Sequence, residues 1–243
     1  MRWIEIALEI DAEVPDVIIY LGPSLSQSEA EEILPAGPEV QYCPPVRRGD
    51  LAGAIAAAPR IIGIIDGLFF ENAAVGHREI LGALKAGILV VGSSSMGALR
   101  AAELSPFGME GIGEVYRRYQ AGLIESDDEV ALICDPVSNM ALSEALVNIR
   151  ITLEKALSSG VIDEEEHSAL LQAAQHQYYP DRTWPQVIRG ASLPSTRTDA
   201  ILLWVRASGV DQKQDDARAA LRYIASRMNR QMNSSDFQSS TLS

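Results

Sequence analysis

The chain of 243 residues has few cysteines, no long hydrophobic run and no excess of basic charge. Its two cysteines, Cys43 and Cys134, lie far apart, and neither belongs to a CxxC pair. This spacing excludes a disulfide framework and a cysteine-rich zinc site. No apolar stretch approaches the roughly 18 residues that span a bilayer. We therefore expect two ordinary thiols and no membrane-spanning segment.

The N-terminal stretch lacks the features of a secretory signal. Glu5 and Glu9 interrupt its apolar residues, and no small-residue cleavage site follows them. These features predict a soluble protein that stays in the cytoplasm.

The balance of charge is acidic, with a formal net charge of −13. A surface of this sign repels nucleic-acid phosphates and anionic lipids, so neither nucleic acid nor a membrane is expected as a partner. Solubility alone explains an acidic surface. The alternative is docking to a basic patch on another protein.

The first hundred residues alternate short apolar runs with helical stretches. Apolar runs that are continuous rather than alternating, and that are separated by helices, indicate a parallel sheet covered on both faces. The predicted strands cover residues 17–21, 40–42, 61–65 and 88–91, and the predicted helices cover 24–34, 50–58, 75–86 and 96–104. Right-handed crossovers place the carboxyl ends of such strands at one edge, where ligand sites usually lie.

The second half is predicted to be mostly helical. Its amphipathic helices are predicted at residues 115–121, 143–157, 164–178, 198–207 and 216–228. The predicted fold class is α/β: an N-terminal parallel sheet with flanking helices in Rossmann-like layering, followed by a mostly α-helical C-terminal part. We expect an α/β domain at 1–105, a helical domain at 106–228 and a polar, disordered tail at 229–243.

The most informative stretch is the turn Gly92-Ser93-Ser94-Ser95-Met96-Gly97, where a predicted strand leads straight into a helix. Such an elbow suits a serine nucleophile with an oxyanion hole, or an anion bound at the helix N-terminus. With Ser95 at its centre the turn matches G-x-S-x-G loosely, since Ser93 replaces the first glycine. Ser95 is the first candidate nucleophile and Ser94 the second. The alternative is that the serines merely cap the helix.

Parallel topology indicates which groups could activate this serine. Asp66 closes a neighbouring strand and His77 opens the next helix, so both are expected beside Ser95. His77 has a suitable intrinsic pKa for a general base, although a cap or surface role is the alternative. Arg78 stays protonated and is predicted to hold an anion or a carboxylate, and Glu79 shares the same helical turn.

Three further charged residues lie on these helices. Lys85 lies at the far end of the helix that begins near His77, about 10 Å away, which disfavours it as the base. Arg100 and Glu103, one turn apart on the following helix, are candidate binding residues together with Asp66 and Glu79. The alternative for Arg100 and Glu103 is a structural ion pair.

No metal or cofactor is expected. The acidic run at residues 125–129 lacks the glycine and the alternating ligands of a calcium loop, so Asp127 is predicted to cap a helix or to belong to a docking patch. The sequence contains no P-loop, and Gly111 and Gly113 lack the preceding strand that a dinucleotide fingerprint requires.

Read in series, several segments resemble the TfuA-like family. The matching pieces, in order over roughly residues 17–157, are Tyr20-Leu-Gly-Pro-Ser-Leu-Ser26, Pro44-Pro45, Arg48-Gly-Asp50, Ile65-Asp66-Gly67, Val75-Gly-His77-Arg-Glu79-Ile-Leu81, Ser94-Ser-Met-Gly-Ala-Leu-Arg-Ala-Ala-Glu-Leu104, Phe107-Gly108-Met109 with Gly111 and Gly113, Asp127-Asp-Glu-Val-Ala131 and Ser143-Glu-Ala-Leu-Val-Asn-Ile-Arg150.

The resemblance implies a role beside a YcaO-type enzyme in backbone thioamidation of a peptide or protein, which reaches the complex through the YcaO enzyme. The YcaO-type enzyme activates the amide with ATP. The TfuA-like partner obtains sulfur by hydrolysing the thiocarboxylate C-terminus of a ubiquitin-like carrier of the ThiS type, so the resemblance predicts that the chain is a hydrolase.

The resemblance also implies a Ser–Lys pair, and here the sequence departs from the family pattern. Where the family has His-Lys-Glu-Ile-Leu, this chain has His77-Arg78-Glu79-Ile80-Leu81, and Gly76 replaces the usual tryptophan. The general base is therefore left open. Three functions follow: a sulfur-releasing hydrolase that docks to a YcaO-type enzyme, a non-catalytic adaptor that raises that enzyme's affinity for its peptide, and an α/β module that binds a small anion.

Overall fold

The computed structural model describes residues 14–69, 73–135, 138 and 140–239. The N-terminal stretch with Glu5 and Glu9 therefore lies outside the described residues. Within the described part, no helix is both long enough and apolar enough to cross a membrane.

The centre of the fold is a five-stranded sheet whose order is β2-β1-β3-β4-β5. The strands are β1 (Val17–Tyr20), β2 (Val40–Cys43), β3 (Ile61–Ile64), β4 (Leu89–Ser93) and β5 (Glu110–Ile112). Every neighbouring pair runs parallel. All residues of β1 and β3 are buried, as expected for strands covered on both faces. The predicted parallel α/β architecture is confirmed.

Strand β5 was not predicted, since the sequence shows no strand pattern before Gly111 and Gly113. Its three residues carry only one apolar side chain, Ile112, so no strand pattern is visible in the sequence. Pairing with β4 imposes the extended conformation, with Gly92 opposite Gly111 and Ser93 opposite Ile112.

Helices surround the sheet and make up most of the second half of the chain, as predicted. They are α1 (Gln27–Ile33), α2 (Asp50–Ala56), α3 (His77–Lys85), α4 (Met96–Leu104), α5 (Glu114–Gln120), α6 (Leu146–Ser158), α7 (Glu164–His176), α8 (Trp184–Gly190), α9 (Ser195–Ser208) and α10 (Gln212–Ser239). Short 3₁₀ turns occur at Ser105–Phe107, Asp127–Glu129 and Tyr179–Asp181.

Helix α10 extends further than the sequence indicated. It continues to Ser239, through most of the range 229–243 that was predicted to be a disordered tail. Once a packed segment has nucleated a helix, each further residue adds to it easily, even where the sequence is polar.

The two faces of the sheet have different covers. Helices α2, α3 and α4 pack on one face, whereas α1 and the buried side of α10 pack on the other, where Leu221 and Ile224 join a core with Val91. Helices α6 to α9 form a separate apolar core. The division into domains at residue 105 stays a prediction, but β5 and α10 extend the α/β layer beyond it.

This topology places the loops after β1, β3 and β4 side by side. In the sheet register, Tyr20 is opposite Ile64 and Ile64 is opposite Gly92. The residues that follow these strands therefore meet at one edge of the sheet, which contains Asp66 and the serine-rich turn.

Candidate functional site

The turn between β4 and α4 is a tight elbow centred on Ser94. Ser94 has a left-handed backbone with φ of 64°, and the amide of Ser95 donates to the carbonyl oxygen of Ser93 at 2.7 Å. This three-residue turn is a strained conformation for a residue other than glycine. A Cβ on Gly97 would lie 1.7 Å from the carbonyl oxygen of Ile64, so only glycine permits this approach of α4 to β3.

The three serines of the elbow have different surroundings. The Ser93 hydroxyl lies 2.7 Å from the Ile112 carbonyl oxygen and 3.0 Å from that of Asp216, and its single proton is shared between these two acceptors. Ser95 occupies the N-cap position of α4, but its side chain makes no capping bond. The Ser94 hydroxyl is buried and has no hydrogen-bond partner among the described residues.

These differences distinguish Ser94 from Ser95, and the order of the two as candidate nucleophiles stays a prediction. The strained backbone belongs to Ser94, as in nucleophile elbows, and its hydroxyl is the one left unpaired. Centred on Ser94, the first glycine of G-x-S is present as Gly92. A buried hydroxyl without a partner is destabilising, and such groups are often functional.

Asp66 lies at the predicted edge and fixes the neighbouring loop. It is buried at the end of β3, where one carboxylate oxygen accepts the amides of Gly22 (2.9 Å) and Ser24 (3.1 Å). The other oxygen accepts the Ser24 hydroxyl at 2.6 Å. Asp66 therefore joins the carboxyl ends of β1 and β3 beside the elbow.

Lys213, in the first turn of α10, is a buried residue near Asp66 that the sequence reasoning did not consider as a candidate. The chain has three lysines, and Lys213 is the one that is buried. Its Nζ donates to the Val130 carbonyl oxygen at 2.8 Å. Burial lowers the pKa of Lys213, and the nearby negative charges of Asp66, Asp211 and Glu144, with Cys134, oppose that shift only in part.

Two hydrogen-bonded contacts join the first turn of α10 to the elbow. Asp216, one turn after Lys213, supplies the carbonyl oxygen that accepts from the Ser93 hydroxyl. The Asp216 carboxylate accepts the amides of Glu114 at 2.9 Å and Val115 at 2.7 Å, at the start of α5. Lys213 and Ser94 thus share this edge of the sheet, although they are far apart in the sequence.

His77 lies elsewhere, contrary to the prediction that places it beside the elbow. Its Nε2 is 2.8 Å from a carboxylate oxygen of Glu103, and Arg100 donates to the same oxygen at 2.6 Å. Glu103 belongs to the last turn of α4, about 12 Å along the helix from Ser95. Arg100 also donates to the Val75 carbonyl oxygen at 3.1 Å. Arg100 and Glu103 therefore form an ion pair, and their binding role stays a prediction.

Arg78 and Glu79 also have positions that differ from those expected. Arg78 is exposed in the first turn of α3. Glu79 accepts the amides of Gly49 at 2.7 Å and Gly76 at 3.1 Å, so its carboxylate caps the starts of α2 and α3. A glutamate at these helix starts stabilises them through unpaired amides and the helix dipole.

The acidic run at residues 125–129 is used internally. Ser126, rather than the predicted Asp127, caps the 3₁₀ turn through the amide of Asp128. Asp128 pairs with the buried Arg182 at 2.5 Å, and Glu129 accepts from Arg150 through both carboxylate oxygens. Among the described residues, no group of three or more acidic, histidine or cysteine side chains is placed to hold a metal ion.

The comparisons with known proteins agree with the resemblance seen in the motifs. A family model described as TfuA-like protein matches residues 66–183. The matched segment begins at Asp66 and contains the elbow, whereas Lys213 lies beyond it. No curated protein matches the chain. The resemblance to the TfuA-like family is thereby confirmed over this segment.

Proposed function

We propose, from the match of residues 66–183 to the TfuA-like family, that the chain releases sulfide from a thiocarboxylated ThiS-type carrier for a YcaO-type enzyme that thioamidates a peptide. The match is consistent with a YcaO-associated role. The observation that carries the hydrolytic part is the unpartnered Ser94 hydroxyl on the sheet edge that also holds the buried Lys213.

In the first step the Ser94 oxygen attacks the thiocarboxylate carbon and the C–S bond breaks. The products are an acyl ester on Ser94 and hydrosulfide, HS⁻, with the serine proton passing through Lys213 to the sulfur. In the second step water hydrolyses the ester, which gives the carrier carboxylate and a proton and restores the Ser94 hydroxyl. The thiocarboxylate is an anion, so the sulfur leaves as HS⁻ only because the proton reaches it in the first step.

Lys213 suits the role of the base because burial favours its neutral amine. A neutral amine accepts the serine proton, whereas an exposed lysine stays protonated at neutral pH. Lys213 lies outside the matched segment, so its assignment is supported by its burial and its place beside the elbow. The N-terminus of α4 follows Ser94 directly and favours the negative charge that develops on the attacked group.

The test is to measure sulfide release from a thiocarboxylated carrier by the Ser94→Ala and Ser95→Ala variants. We expect Ser94→Ala to abolish release and Ser95→Ala to keep it within about tenfold of wild type, because only Ser94 has the strained, unpaired geometry. A melting temperature close to wild type is the control for folding. Full activity of Ser94→Ala would contradict the assignment.

One observation favours the adaptor as a second candidate: the Ser94 side chain is fully buried in this structure. An adaptor needs no reactive hydroxyl. The two functions separate in a reaction that contains the YcaO-type enzyme, its peptide and free sulfide. If the chain is only a hydrolase, it is dispensable when sulfide is supplied. If it is an adaptor, it is still required, and the Ser94→Ala variant should stimulate thioamidation as well as the wild-type protein does.

A further inference from the structure

A cavity of about 550 Å³ lies between the sheet edge and the helical second half. One side of it is formed by the loop after β1, with Ser24, and by the start of α10, with Lys213. The opposite side is formed by α8 and α9, where Trp184, Leu202 and Val205 supply apolar surface. Its volume falls within the range of small-molecule sites, which also accommodates one long side chain with its neighbours.

Two carboxylates are held side by side in the wall of this cavity. The buried Asn148 of α6 donates through its Nδ2 to a carboxylate oxygen of Glu144 at 3.0 Å and to one of Asp211 at 3.1 Å. Its Oδ1 accepts the amides of Gln212 at 3.0 Å and Lys213 at 3.2 Å, which fixes the side chain against the start of α10. The spacing of the two carboxylates is therefore set by the fold, because one nitrogen atom lies within hydrogen-bond distance of both.

The lining of the cavity has an excess of negative charge. Neither Glu144 nor Asp211 forms an ion pair with a residue that the structure describes. Burial raises the pKa of Glu144, as expected for a carboxylate whose desolvation is not compensated by a cation. Lys213 lines the same cavity, but its Nζ donates to the Val130 carbonyl oxygen, and burial lowers its pKa. With Lys213 as a neutral amine, the lining has two carboxylates against one exposed guanidinium, that of Arg206.

The rest of the wall suits the stem of an arginine and apolar neighbours. Trp184 is half-buried in the first turn of α8, and Leu142 is 55% exposed beside the cavity. A guanidinium is planar, presents donors in several directions and stacks on aromatic rings, whereas an ammonium is compact and strongly hydrated. Exposed apolar side chains that border a concave site are typical of surfaces that contact another protein. The chemistry of the wall therefore fits arginine better than lysine.

We propose that this cavity docks an arginine side chain from an apolar segment of another protein, with the guanidinium between Glu144 and Asp211. The apolar residues on either side of that arginine contact Trp184 and Leu142. Charge complementarity supports this occupant at two levels, because the lining is negative and the whole chain has a formal net charge of −13, which favours the approach of a basic surface. A bound cation also favours the neutral amine of Lys213, so docking is compatible with the proposed reaction.

Two peptides measure the requirement for charge. Calorimetric titration of the full chain compares acetyl-Leu-Arg-Leu-amide with the same peptide carrying citrulline, which has the shape of arginine without its charge. We expect the arginine peptide to bind at least about tenfold more tightly, because the citrulline leaves both carboxylates without a cation. N-acetylargininamide, which lacks the leucines, should bind at least about fivefold more weakly than the arginine peptide. Equal binding of the two peptides, or binding of neither, would overturn the inference, and equal binding of N-acetylargininamide would contradict a peptide occupant.

Variants of the lining locate the bound arginine. Glu144→Gln keeps an acceptor for Asn148 but removes the charge, so its affinity for the arginine peptide should fall at least about tenfold while its affinity for the citrulline peptide stays unchanged. Glu125→Gln is the matched control, because Glu125 is exposed and does not line the cavity, and its affinity should equal that of wild type. Arg206→Gln removes a like charge and should strengthen binding. An unchanged affinity in Glu144→Gln at an unchanged melting temperature would overturn the inference, and weaker binding in Arg206→Gln would contradict it.

Docking and sulfide release can be tested separately. Ser94 does not line the cavity, so Ser94→Ala should bind the arginine peptide as tightly as wild type. Arginine-dependent binding by a chain that releases no sulfide would contradict the proposed function alone. Sulfide release that depends on Ser94, in a chain that binds neither peptide, would contradict the docking site alone.

Discussion

Replacing Lys213 by methionine tests whether the buried amine is the base. Methionine has a similar length and keeps the apolar contacts, but it removes the Nζ that donates to the Val130 carbonyl oxygen at 2.8 Å. Losing a buried donor destabilises by about 1–3 kcal/mol. Methionine also avoids burying a polar amine, which offsets part of that loss. We therefore expect a change of less than about 2 kcal/mol in the free energy of unfolding.

The effect on the reaction should be larger. General base catalysis contributes about 10² to 10⁴ in rate, which corresponds to about 3–5 kcal/mol of activation free energy. We expect Lys213→Met to lower sulfide release from the thiocarboxylated carrier by at least a hundredfold. Lys155→Met is the matched control, because Lys155 is exposed and donates to the Ser208 carbonyl oxygen. Its rate should equal that of wild type.

The pH dependence provides an independent measurement. Burial lowers the pKa of Lys213, so the wild-type rate should rise with pH and level off below the ordinary pKa of a lysine. Between the folded and unfolded pKa values the unfolded chain binds more protons, so the free energy of unfolding should also rise with pH there. In Lys213→Met, neither the rate nor the free energy of unfolding should rise with pH in this range. A variant with the wild-type rate and the wild-type pH profile would refute the assignment.

Three further variants test the remaining assignments. Ser94→Gly should abolish sulfide release yet raise the free energy of unfolding by about 1 kcal/mol in urea denaturation, because glycine accepts a left-handed backbone; a loss of stability would contradict the strain. His77→Ala and Arg78→Lys should each keep the rate of sulfide release within twofold of wild type, since His77 pairs with Glu103 and Arg78 is exposed. A tenfold fall in that rate would indicate that the residue contributes to the site. Glu129→Gln should destabilise by about 3 kcal/mol, because the Arg150 guanidinium loses its carboxylate partner, and an unchanged melting temperature would contradict that role.

The fold was largely predictable because its strands are short, continuous apolar runs. The predicted strand at 17–21 matches β1 (Val17–Tyr20), and the predicted helix at 96–104 matches α4. Strand β5 was missed because two of the four residues at 110–113 are glycines, and only its pairing with β4 makes it a strand. The hydrophobic pattern of a segment predicts a strand where all of its residues are buried. It does not predict a strand whose conformation is set by pairing with a neighbour.

The site was predictable only in the part that topology determines. The ends of β3 and β4 had to be neighbours, so Asp66 and the elbow were found. The direction of a side chain is set by its hydrogen-bond partners. The sequence indicates that His77 begins a helix, but it does not indicate that Glu103 is its partner. Lys213 lies in a polar stretch that gives no local signal. Of the three lysines, the sequence disfavours only Lys85 as the base, so it does not distinguish Lys213 from Lys155.

Three destabilising features coincide at one edge of the sheet, and their coincidence favours a functional site over a structural one. A left-handed serine costs about 1–3 kcal/mol, an unpaired buried hydroxyl costs a similar amount, and a buried lysine adds its desolvation. Glycine at position 94 and an apolar residue at 213 would remove all three features. Two other buried charged residues form ion pairs: Arg182 pairs with Asp128, and Glu129 pairs with Arg150. A left-handed backbone, an unpaired hydroxyl and a buried lysine at one edge of a sheet are expected where a protein trades stability for a reactive group.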